Sequence, residues 1–343
     1  MRVFAHPDQS RHMPQFFLQR GEVRRHFEVP ERAEALLAAL RRMGAGVETP
    51  PLVEATALTT VHDAGYIAFL AEAAEAWARL PEKGPEVVAN MHPSPEMLAQ
   101  GATPTTAIVG RAGWYTADTA CPIGPGSWES IRAAASCALA AAEVAARGGC
   151  AYALSRPPGH HAYAARAGGH CYVNNSALAA EALRHAGAAR VTVIDIDAHH
   201  GNGTQGIFWE RGDVLTASVH GNPSGYYPWY VGHAGEQGGG AGAGCNINFP
   251  LPQGTTDAAW LEAIDAAIAR ARDFGAEALV VPLGFDPSEH EPLSFLRITD
   301  DGFARAAERL SALGLPTVVV QEGGYNVGAI GGLLERFLTA WSR

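Results

Sequence analysis

Acidic and histidine side chains follow a short apolar run near the middle of the chain, in the segment 195–203 (DIDAHHGNG). The run before it, 191–194 (VTVI), predicts a buried strand. Because side chains alternate along an extended chain, Asp195, Asp197 and His199 share one face. A carboxylate and an imidazole two positions apart can bind one cation. The segment therefore predicts a metal site, although residues that merely cap a strand have the same pattern.

Two histidines in the segment 156–161 (RPPGHH) could act on a substrate beside such an ion. The two prolines restrict the backbone and the glycine frees it, so His160 and His161 can be held in a set direction without regular structure. This arrangement suits a preorganised general base. A proline-rich turn with two solvated histidines would give the same pattern.

Asp286 and Tyr325 each follow an apolar run, 278–282 and 317–320, that predicts another strand. In open parallel sheets the ligand site lies beyond the carboxyl ends of the strands, so Asp286 is placed to complete a metal shell. An Asp in this position also commonly caps a helix or a turn. Two glycines before Tyr325 would let its phenol enter the same crevice, or would simply form a flexible turn.

Apolar strands alternate along the chain with alanine-rich amphipathic helices, which predicts an α/β fold with a mostly parallel sheet covered by helices on both faces. No composition shift divides the chain, so we expect a single domain over 1–343. The predicted strands lie near residue 3 and at 151–154, 191–194, 214–219, 278–283 and 317–320, and the predicted helices at 31–42, 63–79, 127–147, 175–185, 256–274 and 300–312.

Composition limits the classes of protein that fit. The 343 residues are 47% hydrophobic and 17% charged, with a formal net charge of −10 and no basic run, which argues against a nucleic-acid partner. No run has membrane-spanning length and no signal peptide is recognisable, so we expect no membrane association and a cytoplasmic location. The cysteines are odd in number and form no CxxC pair, which fits a reducing compartment.

In order along the chain, the PPGHH, DIDAHHGNG, GFD and EGGY motifs resemble those of the histone deacetylase superfamily, the metal-dependent amidohydrolases with the arginase/deacetylase fold. The segments 30–33 (PERA), 168–175 (GGHCYVNN) and 299–303 (TDDGF) also have counterparts there, so the resemblance covers nearly the whole chain. The opening HPDQS and the chain length are most similar to bacterial acetylpolyamine amidohydrolases.

The resemblance implies one Zn²⁺ held by Asp197, His199 and Asp286, ligands that would also accept Fe²⁺ or Co²⁺. Such an ion lowers the pKa of a bound water to about 7 and polarises an amide carbonyl. His161 would be the general base, and His161 itself or His160 would protonate the leaving amine. Tyr325 would stabilise the oxyanion.

The resemblance also implies partners for these groups: Asp195 for His160, and Asn202 for His161. Many relatives have Asp at the second position, and an amide there orients the histidine without adding negative charge, which leaves His161 less basic. A structural potassium ion would lie near the same strand. Its implied ligands are Asp195, Asp197, His199, Ser218 and Val219.

For an acetylated alkylamine, the resemblance implies a slot lined by Gly169, His170 and Tyr227. Relatives have aromatic side chains at the last two positions, and His170 departs from that pattern. The segment 81–125 holds seven prolines and little periodicity; it is predicted to be a long loop insertion that forms a homodimer contact and narrows the entrance. Alignment within it places Val109 where relatives have an acid for polyamine binding.

The function expected from the sequence is therefore zinc-dependent hydrolysis of N-acetyl amides of polyamines or small cationic amines, with release of acetate. Three alternatives stay open. A protein acetyl-lysine deacetylase would have the same chemistry, and an arginase-like dimanganese ureohydrolase would need further carboxylates, although Ser288 stands two residues after Asp286. A non-catalytic binder of acetylated amines would not need His160, His161 and Tyr325.

Overall fold

A computed structural model describes residues 1–291 and 295–342, in which strands and helices alternate. The strands, in chain order, are β1 (Arg2–Phe4), β2 (Phe16–Gln19), β3 (Glu22–Arg25), β4 (Val47–Glu48), β5 (Cys150–Ala153), β6 (Val191–Asp195), β7 (Val214–Gly221), β8 (Asn246–Leu251), β9 (Ala278–Leu283) and β10 (Thr317–Gln321). Within the described residues, β2 and β3 form a separate antiparallel hairpin, and the other strands form one parallel sheet in the order β4-β1-β5-β10-β9-β6-β7-β8.

Helices connect the strands, and several of them cover the two faces of the sheet. They are α1 (Pro30–Arg42), α2 (Ala55–Leu58), α3 (Ala64–Ala78), α4 (Pro95–Ala99), α5 (Ile108–Tyr115), α6 (Ser127–Ala146), α7 (Asn175–His185), α8 (Asn202–Phe208), α9 (Asp257–Phe274), α10 (Asp300–Ser311) and α11 (Val327–Trp341). None of the helices in the described ranges combines the length and apolar character needed to cross a membrane.

Alternation along the central strands explains how both faces are buried. On β9, Leu279 and Val281 pack on one side with the apolar faces of α1, α9, α10 and α11, while Val280 packs on the other side with α6 and α7. Small alanine side chains on α6 and α7 allow those helices to approach the sheet closely. The predicted α/β class with helices on both faces is confirmed.

The structure adds elements that the sequence did not predict. The segment 81–125 is not one continuous loop: it contains α4, whose first turn is capped by Ser94, and α5, which packs its buried side chains on the neighbouring core. Strand β8 at the sheet edge and the C-terminal helix α11 were also not predicted. Edge strands that are only half buried, such as β8, have weak apolar patterns, which is why the sequence signal was lost.

Candidate active site

The four sequence motifs follow four strands that are neighbours in the sheet. In the order β5, β10, β9 and β6, these strands lie side by side and run in the same direction. Their carboxyl ends therefore meet at one edge, where the chain continues into segments 156–161, 322–325, 284–286 and 195–203. Ligands of open α/β sheets bind at such an edge.

Asp197, His199 and Asp286 form a group of side chains that could hold one metal ion. Nδ1 of His199 lies 3.2 Å from Asp197 Oδ1 and 3.0 Å from Asp286 Oδ2. Ligand atoms bound at zinc distances around a tetrahedral ion are about 3.3 Å apart, so this spacing fits such an ion. Gly284 is needed beside the group, because a Cβ there would collide with the Asp197 carboxylate.

The charges in this group favour a cation. Burial raises the pKa of Asp286, and the Asp197 carboxylate raises it further. Burial also acts to lower the pKa of His199, but the two carboxylates outweigh it and raise the value to about 9. Two buried carboxylates beside one imidazole repel each other, and a positive ion between them relieves that repulsion.

His160 and His161 lie side by side next to this group, with ring centroids 4.0 Å apart. Nδ1 of His160 is 2.9 Å from Asp195 Oδ2, and Nδ1 of His161 is 2.6 Å from Asn202 Oδ1. The structure thus forms the two pairings that the resemblance implied. Because each Nδ1 faces an oxygen acceptor, it carries the ring hydrogen, and Nε2 is the atom left for other partners.

The two histidines differ in their affinity for a proton. Burial acts to lower the pKa of His160, but the charges of Asp195 and Asp197 raise it to about 10. The pKa of His161 is held well below its usual value by burial, together with the charges of His160 and His199. The surroundings therefore favour a proton on His160 far more than on His161.

Tyr325 presents a protonated phenol at the same edge. Burial raises its pKa well above the usual value, so the hydroxyl keeps its hydrogen and can donate it. The guanidinium of Arg32 lies 4.7 Å from the centroid of the Tyr325 ring, and the ring of His170 lies 5.6 Å away, edge to face. Glu291 accepts hydrogen bonds from the backbone N–H groups of Tyr325 and Asn326, each at 2.9 Å, which holds the loop.

Of the three residues predicted to line the slot, Gly169 and Tyr227 lie beside His161, whereas the His170 ring packs against His26, Phe17 and Tyr325. The Tyr227 ring contacts the His161 ring edge to face, with centroids 4.9 Å apart. Gly169 has φ +53°, and a Cβ there would collide with the His161 ring, so no other residue fits. His170 has φ 71°, and its Nδ1 lies 2.8 Å from the Ala120 carbonyl oxygen.

Asp118 links Gly169 and Tyr227 and was not predicted. Its Oδ2 accepts hydrogen bonds from the Tyr227 hydroxyl at 2.7 Å and from the Gly169 N–H at 3.0 Å, and its Oδ1 accepts from the Ala120 N–H at 2.8 Å. Val109, which the alignment placed at an acid position, lies on α5 and packs against apolar neighbours. A lone acid in a proline-rich segment is a weak sequence signal, so only the fold identifies Asp118.

A family model described as "Histone deacetylase domain" matches residues 26–341. The chain belongs to the histone deacetylase family. The resemblance expected from the motifs is confirmed, and so is the prediction of a hydrolytic enzyme of the amidohydrolase type.

Individual relatives of this deacetylase-family chain match it over nearly its full length. It is 43% identical to the "Acetylpolyamine amidohydrolase" of Burkholderia pseudomallei, covering 96% of this chain and 95% of the relative, and 42% identical to "Acetylpolyamine amidohydrolase 1" of Pseudomonas aeruginosa, covering 94% of each. The crystal structure of the acetylpolyamine aminohydrolase from Burkholderia pseudomallei superposes with a TM-score of 0.95 at 41% identity, covering 100% of this chain and 98% of that one.

The residues that the resemblance implied for potassium also lie together in this family member. Asp195 at the end of β6 is paired in register with Ser218 on β7, and Val219 is the next residue on β7. Asp197 and His199 follow Asp195 directly in the chain. Their proximity fits the implied set, and the ion itself stays a prediction.

Proposed function

We propose that the protein hydrolyses N-acetyl amides of polyamines or other small cationic amines and releases acetate, using one bound zinc ion. The observation that carries this proposal is the meeting of Asp197, His199 and Asp286 with a paired histidine dyad and a buried tyrosine at one sheet edge. The names of the relatives above support the substrate class. A net charge of −10 is compatible with a cationic substrate.

Asp197, His199 and Asp286 are the residues that would hold the ion. When bound, zinc lowers the pKa of a water to about 7 and polarises an amide carbonyl. Three protein ligands are the pattern of catalytic rather than structural zinc. Because Asp and His also bind Fe²⁺ and Co²⁺, the identity of the ion is a matter for metal analysis.

The dyad and the tyrosine divide the proton transfers. Neutral His161 accepts a proton at Nε2 from the water that attacks the amide carbon. His161 after it has taken that proton, or His160 beside it, gives a proton to the amine nitrogen as the C–N bond breaks. Tyr325 donates its hydroxyl hydrogen to the oxygen that gains negative charge, an interaction typically worth on the order of 10²–10³ in rate.

The slot beside His161 would hold the alkyl chain of the substrate. In this proposal its walls are Tyr227, whose ring lies edge to face with His161, and His170, whose ring lies edge to face with Tyr325, and the bare backbone of Gly169 keeps it open. Burial lowers the pKa of His170, so this wall is neutral and does not repel a cationic amine at neutral pH.

Four further features belong to the same proposal: a single deacetylase domain over 1–343, a structural K⁺ beside β6, a homodimer and a cytoplasmic location. The dimer contact and the narrowed entrance are assigned to the insertion at 81–125. Its last residues already contact the slot, because Ala120 accepts a hydrogen bond from His170 and Asp118 accepts one from Tyr227.

An assay that compares two acetylated substrates tests the proposal. We expect the metal-loaded enzyme to release acetate from N-acetylputrescine with a kcat/KM at least tenfold above that for an acetyl-lysine peptide, because a narrow entrance excludes bulky chains. A preference for the peptide would make this a protein deacetylase. Binding without acetate release would make it a non-catalytic binder.

A further inference from the structure

Glu322 lies directly behind the histidine dyad, at the end of β10, and is completely buried. Its Oε2 accepts hydrogen bonds from two consecutive backbone N–H groups, those of Gly159 at 2.6 Å and His160 at 3.1 Å. Its Oε1 accepts the hydroxyl hydrogen of Ser176, in the first turn of α7, at 3.0 Å. Each carboxylate oxygen therefore has a donor of its own.

One other role for Glu322 follows from its surroundings, because His160, Cys171 and Glu322 place ligand atoms close enough together for a metal ion. The hydrogen bonds argue against that role. Both Glu322 oxygens already accept from N–H or O–H donors, and Nδ1 of His160 is directed at Asp195. Burial also raises the pKa of the Cys171 thiol well above its usual value, whereas a metal needs the thiolate.

We infer that Glu322 is a positioning residue: by accepting the N–H groups of Gly159 and His160 on one oxygen, it sets the backbone direction from which both catalytic imidazoles project. The rings are held from the other side, where Asp195 and Asn202 accept from Nδ1. Glu322 therefore fixes the backbone that leads into both rings, and the Nδ1 partners fix how each ring is turned, which leaves Nε2 of each directed at the site. The inference rests on the catalytic roles proposed above for the two histidines.

The acceptor geometry, not the charge, carries this role, and three substitutions at Glu322 separate the two. In Glu322→Gln, the amide oxygen can accept both N–H groups while the amide nitrogen faces the Ser176 oxygen, so the contacts are kept without charge. Glu322→Asp keeps the charge but withdraws the carboxylate by about 1.5 Å, one C–C bond. Glu322→Leu removes the acceptor.

The experiment measures kcat, KM and bound metal for these variants with N-acetylputrescine. We expect kcat of Glu322→Leu to fall by roughly 10²-fold with KM and metal content unchanged, because a displacement of about 1 Å in a catalytic group costs that much. Glu322→Gln should stay within about threefold of wild type, and Glu322→Asp should lie between the two. If Glu322→Leu does not fold, the order of kcat for the Gln and Asp variants still decides between acceptor geometry and charge.

Other relative activities of these variants would overturn the inference. An aspartate variant more active than the glutamine variant would show that the charge matters, and a leucine variant with wild-type kcat would show that the hydrogen bonds do not. Ser176→Ala, the matched control, removes the third donor and leaves both amide contacts, so its loss should be well below that of Glu322→Leu; an equal loss also overturns the inference.

A structural measurement that does not depend on enzyme activity separates this inference from the proposed function. Crystal structures of Glu322→Gln and Glu322→Leu should show the 2.9 Å contact between His160 Nδ1 and Asp195 Oδ2 kept in the first and lengthened in the second. An unchanged contact in the leucine variant contradicts the positioning role. If wild type released no acetate from any acetylated amine, the proposed function would fail, whereas this structural comparison would still stand or fall by itself.

Discussion

Replacing Asp118 tests how the proposed substrate slot is held together. Its carboxylate accepts hydrogen bonds from the Tyr227 hydroxyl, the Gly169 N–H and the Ala120 N–H at distances of 2.7–3.0 Å. Asp118→Ala leaves all three donors without this partner. Two of them belong to slot walls, so the substitution should affect both stability and substrate binding.

The expected loss of stability follows from these three hydrogen bonds. A hydrogen bond contributes a net 0.5–1.5 kcal/mol, and more when one partner is charged, so Asp118→Ala should reduce the free energy of unfolding by about 2–4 kcal/mol. Tyr227→Phe removes a single donor and should cost about 1–2 kcal/mol. Because the two side chains contact each other directly, the double variant should be more stable than the sum of the single losses predicts, by about 1 kcal/mol or more.

Urea unfolding of the four proteins in this cycle measures the coupling, and steady-state kinetics measures the slot. We expect KM for N-acetylputrescine to rise roughly 3–10-fold in Asp118→Ala, equivalent to about 0.6–1.4 kcal/mol of lost binding. The reasoning is refuted if the stability losses of the two single variants simply add, or if Asp118→Ala has the unfolding free energy and the KM of the wild type.

Three other predictions concern the proposed reacting groups and the slot. Tyr325→Phe should lower kcat on the order of 10²–10³-fold with little change in KM, and a raised KM with an unchanged kcat would make Tyr325 a binding residue only. Burial lowers the pKa of His170, so the ring becomes positively charged, and repels a cationic substrate, only well below pH 6.5. KM for such a substrate should therefore be flat from pH 8 to 7 and rise only in that lower range. His170→Phe should abolish the rise, and an unchanged pH profile of KM would show that His170 does not line the slot. Asn202→Asp places a carboxylate beside Nδ1 of His161, which raises the pKa of that base. The acidic limb of the kcat/KM profile should therefore move to higher pH, and a limb that does not move would contradict His161 as the base.

Much of the fold could be predicted because local patterns coincide with the tertiary structure. The runs 191–194, 278–283 and 317–320 are buried on both sides, so they are largely apolar, and a motif follows each of them within two residues. The predicted helix 175–185 has the same bounds in the structure. The meeting of Asp197, His199 and Asp286 was predictable for the same reason, since all three follow strand ends.

Two of the groups that hold the site together, Glu322 and Asp118, could not be assigned that role from the sequence. Glu322 is 163 positions away in sequence from its partner Gly159, and Asp118 is 109 positions away from Tyr227. Such pairs leave no local periodicity, and an acid at a strand end or in a proline-rich segment has ordinary explanations. The helices in 81–125 were not predicted because they are short and lie among prolines, which obscure a helical repeat.

The most direct test of the central claim is to measure bound metal and acetate release together. We expect the purified wild-type enzyme to bind one divalent ion per chain by elemental analysis, and its activity on N-acetylputrescine to rise in proportion to metal added back to the chelated protein. Asp197→Ala should be folded by circular dichroism, bind no ion and show no acetate release. Activity of the chelated enzyme or of Asp197→Ala within a few fold of wild type would contradict a metal-dependent deacetylase centred on Asp197, His199 and Asp286.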